Sequence, residues 1–285
     1  MTWQLLGGVD PKELGAPRIH AHWAAQVIAA VGETLLDHEP DTSHTALYWS
    51  PESALLKGQR LARAGEAQIG LRFDPFELVV QGGSGTVLGT LGLAGRTLEG
   101  ACGWALETLT PQLGKAPPEK LIRPEYALPA HVLGERAAFG SFPEAHAELE
   151  RWFANAHKIL AELRTSLPDT SQVTCWPHHF DTATLTSLER DASGEATKTL
   201  GVGFSPGDED RPEPYWYVNH WPAVFDAELT SPPAGEWHTE GWVGSVLPAR
   251  EIVRHPDANA QHAQTSDFLR FGIEANRRLV SKRQP

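Results

Sequence analysis

Ile69-Gly70-Leu71-Arg72-Phe73-Asp74-Pro75 and Leu200-Gly201-Val202-Gly203-Phe204-Ser205-Pro206 share one pattern: a short alternating apolar run with a glycine near its start, then Phe, a small polar residue and proline. Such runs, bounded by turn-forming residues, read as half-buried strands. Around each copy the same order of elements recurs. Before the first, Arg18 to Leu36 places Ile19, Trp23, Val27, Ile28, Val31 and Leu35 at helical spacing. Strands are expected at Thr45–Trp49, Ala67–Phe73, Phe76–Gln81 and Thr86–Leu93, followed by a helix over Thr97–Leu113 with Leu98, Cys102, Ala105, Leu106, Leu109 and Leu113 on one stripe. Before the second copy, Glu144 to Leu167 carries a clear stripe through Leu149, Trp152, Phe153, Ala156, Ile159, Leu160, Leu163 and Leu167. Strands are then expected at Val173–Leu188, Thr197–Phe204, Tyr215–Trp221 and Trp237–Leu247, with a last helix over Ser266–Val280.

Strands grouped together and bracketed by helices, without strict alternation of strand and helix, predict an α+β fold. It has two similar halves, each an antiparallel sheet flanked by helices. The repeated order points to an internal duplication with pseudo-twofold symmetry, and the junction of two such halves is a common place for a pocket. Pro117, Pro118, Pro124, Pro129 and Pro143 break helix and strand alike. The expected organisation is therefore a first half at 1–115, a connecting segment at 116–143 and a second half at 144–285.

Composition narrows the function classes. A chain of 285 residues, 41% hydrophobic and 21% charged, is long enough for a sizeable core. Its net charge of -12 opposes the counterion-release attraction that drives nucleic-acid binding, and disfavours anionic membranes. The first residues lack the basic and apolar regions of a secretory signal, and no apolar run is long enough to span a bilayer. A cytoplasmic location is expected. The two cysteines, Cys102 and Cys175, are too few for a disulfide framework or a thiolate zinc site, and read as buried free thiols. No sequence signal bears on oligomeric state.

The segment with the most chemistry is Cys175-Trp176-Pro177-His178-His179-Phe180-Asp181, which sets two imidazoles and a carboxylate among large apolar residues. Polar groups in such surroundings need partners. If Val173–Asp181 is a strand, alternation puts Cys175, His179 and Asp181 on one face and Trp176, His178 and Phe180 on the other, unless Pro177 introduces a bulge. On the strand from Tyr215, Trp216, Val218 and His220 share a face; on the strand from Trp237, His238, Glu240 and Trp242 do. Three strands thus bring histidines and carboxylates beside tryptophans, as in a pocket with aromatic walls and polar handles.

The whole chain resembles an uncharacterised bacterial family. The shared features are an early helix starting with His (His20, His22), Leu47-Tyr48-Trp49-Ser50-Pro51, Trp176-Pro177-His178-His179-Phe180-Asp181, Gly203-Phe204-Ser205-Pro206-Gly207 and Tyr215-Trp216-Tyr217. The resemblance implies no activity.

Three functions compete. The first is a small-molecule-processing enzyme holding one divalent metal ion through two histidines and a carboxylate drawn from His179, Asp181, His220, His238 and Glu240. The second is metal-free acid-base chemistry with His179 and Asp181 as catalytic residues. In both, Trp176, His178, Trp216 and Trp242 line the small-molecule site. The third is a non-catalytic ligand-binding or structural protein in which the His/Asp cluster is a buried hydrogen-bond network. Other motifs fall away. Gly203-Phe204-Ser205-Pro206-Gly207 fits a nucleophile elbow, but Pro206 lacks the N–H that such an elbow aims at the oxyanion. Gly82-Gly83-Ser84-Gly85 lies between strands and reads as a hairpin turn. His238-Thr239-Glu240 has no P-C-x-x-C partner to make a deaminase. The acidic, proline-broken run Asp208 to Pro214 lacks EF-hand spacing. His20 and His22, about 200° apart on a helix, cannot both face one pocket. His146 and His157 are expected at the surface, and His38, His44, His131, His255 and His262 flank turns with no expected role.

Overall fold

The computed structural model describes residues 2–62, 65–114, 116–225 and 228–281. The chain is an α+β protein with two antiparallel sheets flanked by helices, a layout compatible with duplication. It divides into two compact units. One comprises Glu13–Glu150 and Thr174–Phe180, the other Met1–Lys12, Arg151–Val173 and Asp181–Pro285. The division runs through a single helix and through the Trp176–Asp181 motif, not through the proline-rich segment. Residue 115, where the first expected boundary falls, lies outside the described residues.

In the first unit, α1 (Gly15–Leu35) is buried almost all round from Pro17 to Gly32, where between Arg18 and Glu33 it carries no Asp, Glu, Lys or Arg. His20 and His22 point different ways along it, as helical geometry requires. His20 packs against Phe139 and Phe142, and His22 stacks flat on Phe180 with ring centroids 5.0 Å apart. The sheet is a meander of β1 (Tyr48–Ser50), β2 (Leu55–Lys57), β3 (Gln68–Arg72), β4 (Glu77–Gln81) and β5 (Val87–Gly92). Three-residue β2 carries no alternation to read, and the sequence pattern missed it. Helix α2 (Leu98–Leu109) starts at Thr97, whose hydroxyl oxygen accepts the Gly100 N–H at 3.1 Å in an N-cap.

Helix α3 (Pro143–Ser166) crosses the division at residues 150 and 151. His146 near its start is fully buried rather than at the surface, its ring centroid 3.9 Å from that of Phe76. The expected strand Val173–Leu188 is broken by Pro177. Its first piece, β6 (Thr174–Trp176), ends in a turn over residues 177–180, and its second is β7 (Asp181–Arg190).

The second unit continues with β8 (Ala196–Ser205), β9 (Tyr215–Trp221), β10 (Glu236–His238) and β11 (Gly244–Pro248). Strands β7 to β11 run in the order β10-β11-β9-β8-β7, so the chain leaves β9 for the edge and returns between. The expected strand Trp237–Leu247 is thus two strands joined by a turn at Gly241, whose φ of 79° needs glycine. Short α4 (Ala249–Ile252) precedes α5 (Ala258–Ser281), which begins earlier than expected because Asp257 caps it, accepting the Ala260 N–H at 2.9 Å. Both segments of the repeated pattern become interior strands, β3 and β8.

The second unit's core is aromatic. From α3, Trp152 stacks on Phe204 (5.5 Å, 6°) and Phe153 meets it edge-on (5.7 Å, 84°); Phe204 in turn packs against Trp216, and Trp216 against Trp3. Trp152, Phe204 and Trp216 are each fully buried. On the same face of the sheet α5 brings Gly272 close, where a Cβ would stand 2.7 Å from the Ser245 hydroxyl and 2.8 Å from Val218. Trp152→Ala should therefore destabilise the second unit by about 3–5 kcal/mol, read as a lower urea midpoint with the secondary structure retained.

Candidate functional site

The alternation of β9 sorts the expected site residues. Trp216, Val218 and His220 face α3 and α5, whereas Tyr215, Tyr217 and Asn219 face the opposite side. Register places Asp181 and Ala183 of β7, Gly201 and Gly203 of β8, and Glu236 and His238 of β10 on that opposite side with Tyr217.

Asp181 and His238 therefore share a face, and His220 is on the reverse. Trp216 belongs to the core rather than to a ligand surface. His220 is also chemically committed. Its Nε2 accepts the Val224 N–H at 3.2 Å, so Nδ1 carries the proton and donates to Asn276 Oδ1 at 2.7 Å. Asn276 in turn donates to the Gly272 carbonyl at 2.8 Å, which fixes the amide's orientation. With both ring nitrogens used, and burial lowering its pKa, His220 is a neutral structural histidine and not a metal ligand. Glu240 is exposed in the turn after β10. Asp181 and His238 sit on strands with β8, β9 and β11 between them, a backbone separation of about 19 Å at ~4.8 Å per strand. Asp181, His220, His238 and Glu240 thus do not converge on one ion.

Two smaller constellations occupy the shared face. In the first, Tyr217 lies across β8 and donates its hydroxyl proton to Asp181 Oδ2 at 2.5 Å. The ring can cross only because residue 203 has no side chain. A Cβ there would stand 2.4 Å from the Tyr217 hydroxyl. In the second, the His238 ring lies 4.3 Å from Trp242, and Trp242 meets Tyr217 edge-on at 6.2 Å. Arg211, ion-paired with Glu236 at 2.7 Å, also approaches His238 Nδ1 at 3.4 Å. Because Arg211 can only donate, Nδ1 is the acceptor and Nε2 bears the proton. That Nε2 is buried with no hydrogen-bond partner among the described residues. Asp208 completes the surroundings. It accepts from the Tyr215 hydroxyl at 2.5 Å and from the Arg211 N–H at 2.7 Å, and burial together with this carboxylate raises the Tyr215 pKa. The acidic run is therefore a hydrogen-bonded turn. Ser205 is buried, with its hydroxyl accepting the Gly207 N–H at 3.2 Å, a turn contact and not a nucleophile's environment.

The other part of the motif belongs to the first unit and is a lock. Pro177 ends β6, and the chain closes a turn in which the Phe180 N–H donates to the Trp176 carbonyl at 2.7 Å with Phe180 at φ 61°. The Pro177 carbonyl accepts two buried donors, His22 Nε2 at 2.8 Å and Gln26 Nε2 at 2.8 Å, and Tyr126 donates to Gln26 Oε1 at 2.8 Å. His178 is half-buried against Tyr126 and Trp176, while His179 is exposed at the turn. The faces expected from alternation do not apply to residues 177–180, because they are not a strand. Tyr126, Tyr215, Tyr217 and Arg211 were not anticipated. The single Tyr-x-Tyr spacing, on a strand, is the available signal for Tyr215 and Tyr217.

Elsewhere in the second unit, a surface hollow of about 670 Å³ lies at the end of α3, lined by Arg164, Ser166, Asp169, Thr170, Ser187 and Arg190 among others. None of the expected residues lines it, and Arg190 is already held by both Asp169 oxygens at 2.8 and 2.9 Å.

Burial holds the His22 imidazole down at about 4, with smaller repulsion from Arg18, His179 and His178, against the Pro177 hydrogen bond that favours the protonated ring. The unfolded chain protonates this histidine near its ordinary 6.5, so the folded state keeps its full stability above that pH and loses it as the pH falls toward 4. His22 should contribute a loss of about 3 kcal/mol over that window, and His20 and His146, also held at about 4, act in the same direction. Urea midpoints across pH 4–7 should show the slope, and His22→Gln, which keeps a donor but does not titrate, should flatten part of it. Gly203→Ala should cost about 1–3 kcal/mol and displace Tyr217 from Asp181, seen as the loss of any further effect of Tyr217→Phe once Gly203→Ala is in place. Comparison with family models, with curated proteins and with solved structures finds no match to this chain.

Proposed function

We propose that the protein binds a small planar molecule carrying a hydrogen-bond acceptor, on the sheet face that bears Asp181, Tyr217, His238 and Trp242. The single observation that carries this reading is His238 Nε2, a buried donor without a partner among the described residues on a ring held between Trp242 and Arg211. Leaving such a donor unsatisfied costs about 1–3 kcal/mol, and a carbonyl or carboxylate oxygen of a ligand would recover it. Trp242 and Tyr217 supply aromatic walls, and Asp181 fixes the Tyr217 ring by taking its proton in a hydrogen bond.

This reading is the non-catalytic, ligand-binding one. His179 and Asp181 are not paired in it as acid and base. The carboxylate is engaged by Tyr217, and the imidazole sits exposed on a turn whose other polar groups tie that turn to α1. The Trp176–Phe180 part of the motif is, on the same reasoning, a structural network.

Benzamide and benzoate, a neutral and a charged planar acceptor of nearly the same shape, are suitable probes by saturation-transfer NMR. Both should bind weakly, with Trp242→Ala abolishing the signal. His238→Ala should weaken it about 5-fold, the worth of one neutral hydrogen bond of roughly 1 kcal/mol. Binding that survives both substitutions, or none at millimolar probe, overturns the assignment.

A further inference from the structure

The C-terminal end of α1 gathers two histidines and a carboxylate that the small-molecule site does not use. Glu33 lies in the last turn of the helix, His38 just beyond it, and His44 in the following short turn at Ser43–Thr45. Each of the three offers a ligand atom within 4.8 Å of the others. His44 Nε2 stands 3.0 Å from Glu33 Oε2, and His38 Nε2 stands 3.4 Å from Glu33 Oε1. Ligands bound to one tetrahedral ion at bond lengths of about 2.0–2.1 Å are themselves roughly 3.3 Å apart, close to the two spacings between the ring nitrogens and the carboxylate, and all three ligand atoms lie within 4.8 Å of one another. The two rings are stacked 4.7 Å apart and within 13° of parallel, presenting their Nε2 atoms to the same carboxylate.

The segment is held in place from below. A Cβ on Gly32 would stand 2.3 Å from the His44 carbonyl oxygen, so the turn carrying His44 rests directly on the helix backbone, and His44 is buried. His38 is exposed and leaves the cluster open to solvent. The helix end adds to the attraction for a cation. Its last turn contains no basic residue, and the Glu33 carbonyl, at the negative end of the helix dipole, faces His38 Nε2 at 3.0 Å.

We propose that Glu33, His38 and His44 bind one divalent first-row transition-metal ion of the zinc type at the C-terminal end of α1. Two imidazoles and one carboxylate select such an ion over magnesium or calcium, which take oxygen ligands. Binding moves protons within the rings without releasing any from the neutral imidazoles. His44 Nδ1 accepts the Glu39 N–H at 3.1 Å, so Nε2 carries the ring proton and points it at Glu33. Coordination through Nε2 transfers that proton to Nδ1 and turns the Glu39 amide away, while His38 makes the same change with its other nitrogen in water. The metal therefore displaces two hydrogen bonds to backbone, His44 Nδ1 with the Glu39 N–H and His38 Nε2 with the Glu33 carbonyl, and the Glu39 amide reports the event.

The full chain, stripped of metal with EDTA, is titrated calorimetrically with zinc in excess magnesium and calcium. One zinc per chain is expected, with affinity falling at least about tenfold in His38→Ala and in Glu33→Gln, and unchanged in the double variant His178→Ala/His179→Ala. His38 is exposed, so His38→Ala keeps the fold, checked by an unaltered thermal melt. In amide NMR spectra, zinc should shift the Glu39 N–H of the unsubstituted chain but not that of His38→Ala. Absence of binding at millimolar zinc, affinity unaltered by His38→Ala and Glu33→Gln, or loss only in the His178/His179 variant would each refute the site.

Discussion

The two-residue alternation of β9 is the constraint on which the second unit's chemistry depends. Trp216, Val218 and His220 go to the helices, where aromatic packing and α5 consume them. Tyr217 goes to the other face, where it can reach Asp181. A one-residue slip would reverse both assignments, burying a tyrosine hydroxyl in the aromatic core and exposing its tryptophan. The register is held by the size of the groups it buries. Trp216 and Phe204 lie in register on adjacent strands and fill the layer beneath α3, and Gly201 and Gly203 leave room on the reverse for Asn219 and Tyr217.

Those glycines connect packing to the site. A sheet face normally presents side chains that keep an aromatic ring upright on its own strand. With no side chain at residue 203, the Tyr217 ring lies down across β8 and spans to β7, bringing a hydroxyl to a carboxylate two strands away. The small residues flanking Phe204 thus serve both faces at once, since Phe204 packs the core while its glycine neighbour clears the opposite surface.

Proline has a comparable effect at residue 177. Lacking an N–H and fixed in φ, it stops β6 and turns the chain, so that two adjacent histidines end on a turn and not on a sheet. The carbonyl that the turn exposes is recovered by His22 and Gln26 from α1. A segment rich in catalytic residue types becomes in this way a point of attachment, because its polar groups are engaged in holding the turn. Glu33, His38 and His44, by contrast, sit in ordinary sequence around the end of a helix and face each other across short distances.

Local pattern was enough for the longer elements, though not for β2 or for the breaks at Pro177 and Gly241. The stripe at Leu149, Trp152 and Phe153, the strand Tyr215–Trp221 and the bracketing of strands by helices follow from apolar period and turn residues, which act over a few neighbours. The side of β9 on which His220 lies was also legible. The side chains that meet were not. Strand order put β11 between β10 and β9, a missing Cβ let Tyr217 reach Asp181, and a turn packed on Gly32 set His44 beside Glu33. The sequence by itself determined the α+β class and the alternating faces, because both come from periodicity along the chain. Only the tertiary structure decided which polar groups are satisfied internally and which remain to bind, because hydrogen-bond partners are chosen across strands and turns far apart in sequence.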